Sequence, residues 1–231
     1  MGCDVHMHVC VADENTGKLK PVYVVGNTTG DIKLKTYEPG GYFRNYDVFG
    51  LLNECVRGGC WISDVSLPPR GRLPFERLDL GKYTFEQLAN DVKRIESNLV
   101  HSADPQDSEY NGYLESRNDL ERGISNPYPR FVADYYYSQW YHSHTYFTVA
   151  ELTKLIKRLK KYRKKVGKNV VYDDPDYRVD TEVMEMQNEI DGYIATIKDI
   201  INDARTLAKI ASEMYEQPID EDIYILCCFD S

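Results

Sequence analysis

The residues best suited to chemistry stand at the start of the chain. Asp4-x-His6-x-His8 sets a carboxylate and two imidazoles at alternate positions, and on a strand such side chains share one face, about 7 Å apart. Carboxylate and neutral imidazole are ligands for a divalent ion such as zinc or manganese. A second pair, His142-Ser143-His144, lies far along the chain, so two His-x-His pairs take four of the five histidines. Two readings follow. In one, Asp4, His6, His142 and His144 hold a single Zn or Mn ion, with Asp230 or Asp47 as base, in a hydrolase or phosphodiesterase. In the other no metal is involved: His8 and His142 face solvent, while His6 and His144 complete buried hydrogen bonds.

Arginines and aromatic residues supply a different chemistry. Arg70 and Arg72 flank Gly71 inside Pro68-Pro69-Arg70-Gly71-Arg72-Leu73-Pro74. A proline-bounded loop can aim a guanidinium fork at a carboxylate or phosphate, and it can equally close a salt bridge. Arg44 and Arg57 bracket a predicted helix; Arg57 at its C-terminal end suits the helix dipole, a structural role. Ser143 and Thr145 precede a helix expected from 149, whose free amides can seat an anion; simple capping needs only Thr148. Nucleophilic use of Ser143 or Cys3 has no G-x-S-x-G elbow or triad order behind it. Tyr46 and Trp140 can stack on a base, although Trp140 and Tyr135-Tyr136-Tyr137 also suit a core or an interface. The preferred reading is a cofactor-free binding site for a phosphorylated, nucleotide-derived small molecule. Arg44 and Arg70 pair with the anion, and Asp4 and His6 bond its polar edge. Tyr46 or Trp140 stacks, and His144 and Thr145 complete the wall.

The elements that must position these groups follow from periodicity. Val5, Met7, Val9 and Val11 alternate with Asp4, His6, His8 and Cys10, which predicts a strand over 4–12 with one apolar face. Turns at 14–17 and 26–31 lead to further strands at about 19–25 and 32–37, an antiparallel meander. Phe49, Leu52 and Val56 form one stripe of a short helix over 45–57, and Thr84 caps another over about 85–98. The polar stretch 100–128 reads as a surface excursion. Thr148 and Glu151 have capping-box spacing and open a helix with Leu152, Leu155, Ile156 and Leu159 on one face. A second helix, about 181–216, carries Ile190, Ile194, Ile197, Ile201, Ala204 and Ala208 at spacings of three and four. Between Lys154 and Lys168 stand nine Lys or Arg, and acids crowd the start of the second helix. The two thus predict an antiparallel helical hairpin with opposed charges, an elaboration over 149–216. The apolar stretch Asp222 to Asp230 suits a central strand, so the two ends of the chain are expected to pair. The fold class is α+β in one domain spanning 1–231. The site lies where the first strand, the Arg70 loop and a turn over 142–148 meet.

Composition narrows the partners. The 231 residues are 42% hydrophobic and 28% charged, with net charge −9, enough apolar material for one sizeable core. The basic run contributes +9, which leaves −18 for the remainder and argues against a general nucleic-acid binder. The run itself reads as a solvated helix face rather than a phosphate track. No apolar run is long enough to cross a bilayer, and the opening lacks a signal-peptide pattern. His6 stands where a myristoylation motif wants Ser or Thr. The six cysteines include no C-x-x-C pair and read as reduced thiols of a cytoplasmic protein.

Several of these segments together resemble a known family. Met1-Gly2-Cys3-Asp4-Val5-His6, Arg44-Asn45-Tyr46-Asp47-Val48-Phe49 followed by Val56-Arg57, and Pro69-Arg70-Gly71 belong to the pattern. So do His142-Ser143-His144-Thr145, Thr148 with Glu151-Leu152, and a terminal Phe229-Asp230. They are similar to those of short phage and bacterial proteins that open MGCD(I/V)H. The resemblance covers both ends and the middle motifs, not 100–130 or 160–216. It implies a phage-encoded protein in the host cytoplasm, with counter-defence by binding or cleaving a nucleotide messenger as the associated role. The helical hairpin then reads as an addition for homo-oligomerisation. A third class, an inhibitor acting through the charged hairpin and surface tyrosines, would leave the Asp4–His6 cluster dispensable.

Overall fold

The computed structural model describes residues 5–22, 24–28, 31–35, 45–54, 56, 60–79, 141–166, 178–211 and 218–230. The helix predicted over 85–98 and the excursion over 100–128 lie outside them.

The fold is α+β. Strands β1 (Val5–Ala12), β2 (Leu19–Pro21), β5 (Tyr141–Thr148) and β6 (Ile223–Asp230) form one antiparallel sheet in the order β2-β1-β6-β5. The apolarity of the last strand explains its place. Ile225, Leu226, Cys227, Cys228 and Phe229 are all 0% exposed, so this strand is covered on both faces. Its two edges are taken by β1 and β5, and the N-terminal and C-terminal strands pair as expected, from Val5 opposite Phe229 to Val11 opposite Ile223.

The start of the chain departs from a continuous meander. Strands β3 (Val24–Thr28) and β4 (Asp31–Lys35) pair only with each other, in a separate two-stranded ribbon. The β1–β2 pairing runs to Pro21, and beyond it the Val22 N–H still donates to the Val9 carbonyl at 2.8 Å.

Among the described residues, three helices cover one face of the sheet. Helix α1 (Tyr46–Leu52) is capped by Asn45, whose side chain accepts from the Val48 N–H at 3.1 Å. It is shorter than the periodicity predicted, because Asn53 turns to an extended conformation while its N–H still reaches the Phe49 carbonyl. Helix α2 (Val149–Val166) opens on the predicted capping box. The Thr148 N–H donates to Glu151 Oε2 at 2.9 Å and the Glu151 N–H to Thr148 Oγ1 at 3.2 Å. Helix α3 (Arg178–Ala211) begins three residues before the predicted start at 181. Arg163, late in α2, is 2.7 Å from Asp191, early in α3. Ala150, at the start of α2, donates to the Asp220 carbonyl, and Asp220 is paired with Arg205, late in α3. The two helices therefore run antiparallel, while residues 167–177 between them lie outside the described segments.

The core between these helices and the sheet joins Val5, Met7, Val9, Ile225 and Phe229 to Phe49, Leu155 and Ile197. A smaller apolar layer lies on the opposite sheet face. It contains Cys10, Leu19, Leu73, Leu78, Leu226 and Cys228, each at most 5% exposed and none belonging to the helix-side core. Of residues 66–79, the stretch from Arg70 onward crosses this second face, whereas Leu67 still belongs to the helix-side core: Leu78 bridges Leu19, and the Asp79 N–H donates to the Leu19 carbonyl at 2.9 Å. Among the described residues no helix is long and apolar enough to span a membrane.

Phe49 joins α1 to the sheet, its ring 5.4 Å from that of Phe229. Phe49→Ala is expected to cost roughly 3–5 kcal/mol, measurable as a lower urea midpoint with an unchanged slope.

Candidate functional site

Register decides which predicted residues meet. Val5, Met7 and Val9 point to the helices, so His6, His8 and Cys10 take the opposite face. Across the sheet His6 pairs with Cys228, and His8 with Leu226, which in turn pairs with Tyr146 of β5. His144 lies two residues before Tyr146 and so shares its side. Three of the five histidines, His6, His8 and His144, thus occupy one face. With β6 between them, the β1 and β5 backbones are about 10 Å apart. His8 and His144 are 6% and 8% exposed; His6 is half-buried. The expectation that His8 faces solvent is corrected by that burial, which comes from the second apolar layer.

The arginines of the 66–79 segment lie on the same face. The Arg70 guanidinium sits 5.4 Å from the Tyr146 ring centre and Arg77 5.2 Å from that of Tyr224. Arg70 also donates through Nη1 to Glu151 Oε2 at 3.0 Å and to the Tyr146 carbonyl at 3.4 Å, and through Nη2 to Glu151 Oε1. Gly71 takes φ 71°, which turns the chain immediately after Arg70. The loop thus presents Arg70 to β5, and its first partner is a carboxylate of the protein, the salt bridge that the sequence left open beside a ligand contact. Arg72 points to solvent.

Glu151 closes the α2 capping box and holds Arg70 at the same time. Burial acts to raise its pKa, but the hydrogen bonds from Arg70 and from the Thr148 N–H outweigh it and hold the carboxyl below its ordinary range. The bond to Glu151 raises the Arg70 pKa against a smaller opposing effect of burial.

Four predictions are corrected. Residues 142–148 are an edge strand, not a turn: β6 offers a free ladder edge, and the chain occupies it until Thr148 starts the helix. The α2 N-terminus is not an open anion seat either. Its first amides donate to Glu151, to the Asp220 carbonyl and to Thr148. Thr145 faces the helices, opposite Cys227 and 1% exposed, away from His6 and His144. Tyr46 also lies on the helix side, with its ring edge-on to Phe49 at 5.8 Å, and does not flank the histidine face.

A bulge separates the histidines of the second pair. Between His142 and Thr145 the register slips, and Ser143 adopts φ 50°, strained for a residue with a side chain. His142 pairs with Phe229 and lies to the helix side, whereas His144 lies on the other. A metal held by His6, His142 and His144 together would need His142 to turn across the strand. Among the described residues no group of three or more His, Cys, Asp or Glu is placed to hold a metal ion. Ser143 Oγ is 2.9 Å from His142 Nδ1, and its carbonyl accepts from Asn53 Nδ2 at 2.7 Å.

Asn53, 1% exposed, had no place in the sequence-based site. Its signal was faint: one amide ending a short apolar helix. Asp47 is engaged structurally, accepting at 2.9 Å from the Tyr193 hydroxyl, which accepts from Trp61 Nε1 at 3.1 Å. Burial first, and then the bond to Asp47, push the Tyr193 hydroxyl pKa upward. Asp4, Arg44, Trp140, Cys3 and Arg57 lie outside the described residues, as does the side chain of Asp230.

Comparison of the chain with protein-family models, with curated proteins and with solved structures finds no match.

The Arg70–Glu151 pair makes a pH prediction. A carboxyl held below its unfolded value contributes stability that is present at neutral pH and lost as pH falls through the folded value. Arg70→Ala is therefore expected to cost roughly 1–2 kcal/mol at pH 7, with the gap to wild type closing as Glu151 protonates below the ordinary value of 4.5. Urea titrations of both proteins from pH 7 to pH 3 measure it.

Proposed function

We propose that this protein binds and sequesters a small anionic molecule, phosphorylated and nucleotide-derived, over the sheet face that carries His6, His8 and His144. The observation that supports it most is that half-buried His6 and the guanidinium of Arg70, one-third exposed, lie on the face that also carries the buried His8 and His144. An arginine has five N–H donors; Glu151 and the Tyr146 carbonyl take three from Arg70. The side chain as a whole is fixed in direction and one-third exposed. A fixed fork loses little entropy on binding phosphate. His6 on β1 and His144 on β5 then stand on the two sides of Cys228 and can bond a ligand's polar edge.

Among the described residues, burial pushes the Cys10 and Cys227 thiols far up and Cys60 up to about 11, so these three carry almost no thiolate at neutral pH. The setting implied by the resemblance, a cytoplasmic phage-type protein that holds a nucleotide messenger away from a host defence, agrees with this reading. Hydrolysis is the competing reading, with a divalent metal or with Ser143 beside His142 as the group to remove.

The test is calorimetric titration of purified protein with cyclic nucleotides and ADP-ribose derivatives, with the mixture assayed afterwards by mass spectrometry. One ligand is expected to bind and be recovered unchanged, and His6→Ala/His144→Ala to weaken it by at least about tenfold, or 1.4 kcal/mol. Recovery of a cleaved ligand, with metal lost from the double variant or activity lost in Ser143→Ala, would replace sequestration by hydrolysis. No binding across the panel at millimolar ligand would remove the proposal.

A further inference from the structure

The ligand face leaves the two long helices unexplained, and their charges point to a separate function. Seven cations of α2 between Lys154 and Lys165 are exposed; an eighth, Arg163, forms an ion pair with Asp191 of α3. The exposed run covers about 16 Å of helix axis, with Lys154, Lys157, Lys161 and Lys165 spaced to share one side.

The start of α3 has the reverse character. Residues 181–189 are helical, about two and a half turns, yet none is buried; burial begins at Ile190. This stretch packs on one side only, where Gln187 Nε2 donates to the Arg163 carbonyl at 3.4 Å, and leaves the rest of its surface to water. This segment carries Glu182, Glu185 and Glu189, all exposed, together with Met184 at 62% exposure and the half-buried Val183 and Met186. It is an acidic stripe with an apolar seam, adjoining a basic stripe of the neighbouring helix.

We infer that α2 and the first turns of α3 form a self-complementary surface on which a second copy of this chain docks. The basic side of α2 in one copy lies on residues 181–189 of the other, and the reverse. One patch bearing both charges is what a two-fold interface requires, since each surface must complement itself. Opposite charges steer and register such an encounter, and Met184 supplies apolar contact at its centre. A nucleic-acid partner fits less well. The acidic stripe runs beside the basic one, and the chain carries −9 overall, so phosphates drawn to α2 meet repulsion from α3. This inference does not rest on the ligand site.

The experiment is sedimentation velocity of the full chain at 50 mM and 1 M NaCl, with two charge-reversal variants. At low salt the wild type is expected at twice 26.8 kDa, falling to a monomer at high salt, where screening acts within about 3 Å. Lys157→Glu/Lys161→Glu and Glu185→Lys/Glu189→Lys are each expected to weaken association at least tenfold at 50 mM NaCl. Their equimolar mixture is expected to restore the dimer, because each reversed stripe then meets its opposite. That rescue also separates loss of contact from loss of folding. A wild-type monomer at both salts, a dimer indifferent to both variants, or failure of the mixture to reassociate would overturn the inference. So would a monomer that binds a 30-base-pair duplex in a Lys157- and Lys161-dependent manner.

Discussion

A strand that is apolar on both faces cannot rest against solvent on either, and β6 imposes that condition on everything around it. Its alternate residues feed two layers: Ile225, Cys227 and Phe229 join the helix-side core, while Leu226 and Cys228 enter the opposite one. The three helices are the answer on one side and the 66–79 segment is part of the answer on the other. Hydrogen bonding adds the lateral demand. A fully buried strand must pair along both edges, and β1 and β5 supply those ladders. The meeting of the His6 and His144 segments is a consequence of this pairing, since each edge of β6 receives one of them.

Glu151 shows how local and tertiary requirements can coincide in one side chain. As a helix cap it satisfies the Thr148 amide, and as an anion it fixes Arg70 of a segment about 80 positions earlier. The cap therefore joins the start of α2 to the loop over the second sheet face. Asn53 plays a comparable part at the other end of β5, where its amide holds the carbonyl of the strained Ser143. Between these two anchors the strand slips register, and that slip turns His142 and His144 to opposite sides. The separation of the histidine pair is thus built by two hydrogen-bonded contacts distant in sequence.

Much of the scaffold was legible because it follows from short-range rules. The alternation of Val5, Met7 and Val9 with His6 and His8, the unbroken apolarity of 223–229, the capping box at Thr148 and the three-and-four spacing of isoleucines in α3 each express a local period. All appear in the described structure. The site was legible in part. His6, His144 and Arg70 do come to one face, but Thr145 and Tyr46 do not, and residues 142–148 form a strand rather than a turn.

The amino-acid sequence by itself determined which segments are apolar, on which period, and where α2 starts, because such properties depend on neighbours within a few residues. It also determined that β6 needs cover on two faces. Tertiary structure alone decided which edge each strand takes and which side each histidine faces, because one residue of register slip reverses a strand's faces. Here the slip is held at Ser143 by Asn53, 90 positions away. It decided the state of Arg70 as well. A guanidinium bonds whichever carboxylate the fold brings near, and only the packing of the 66–79 segment against β5 and α2 made that carboxylate Glu151.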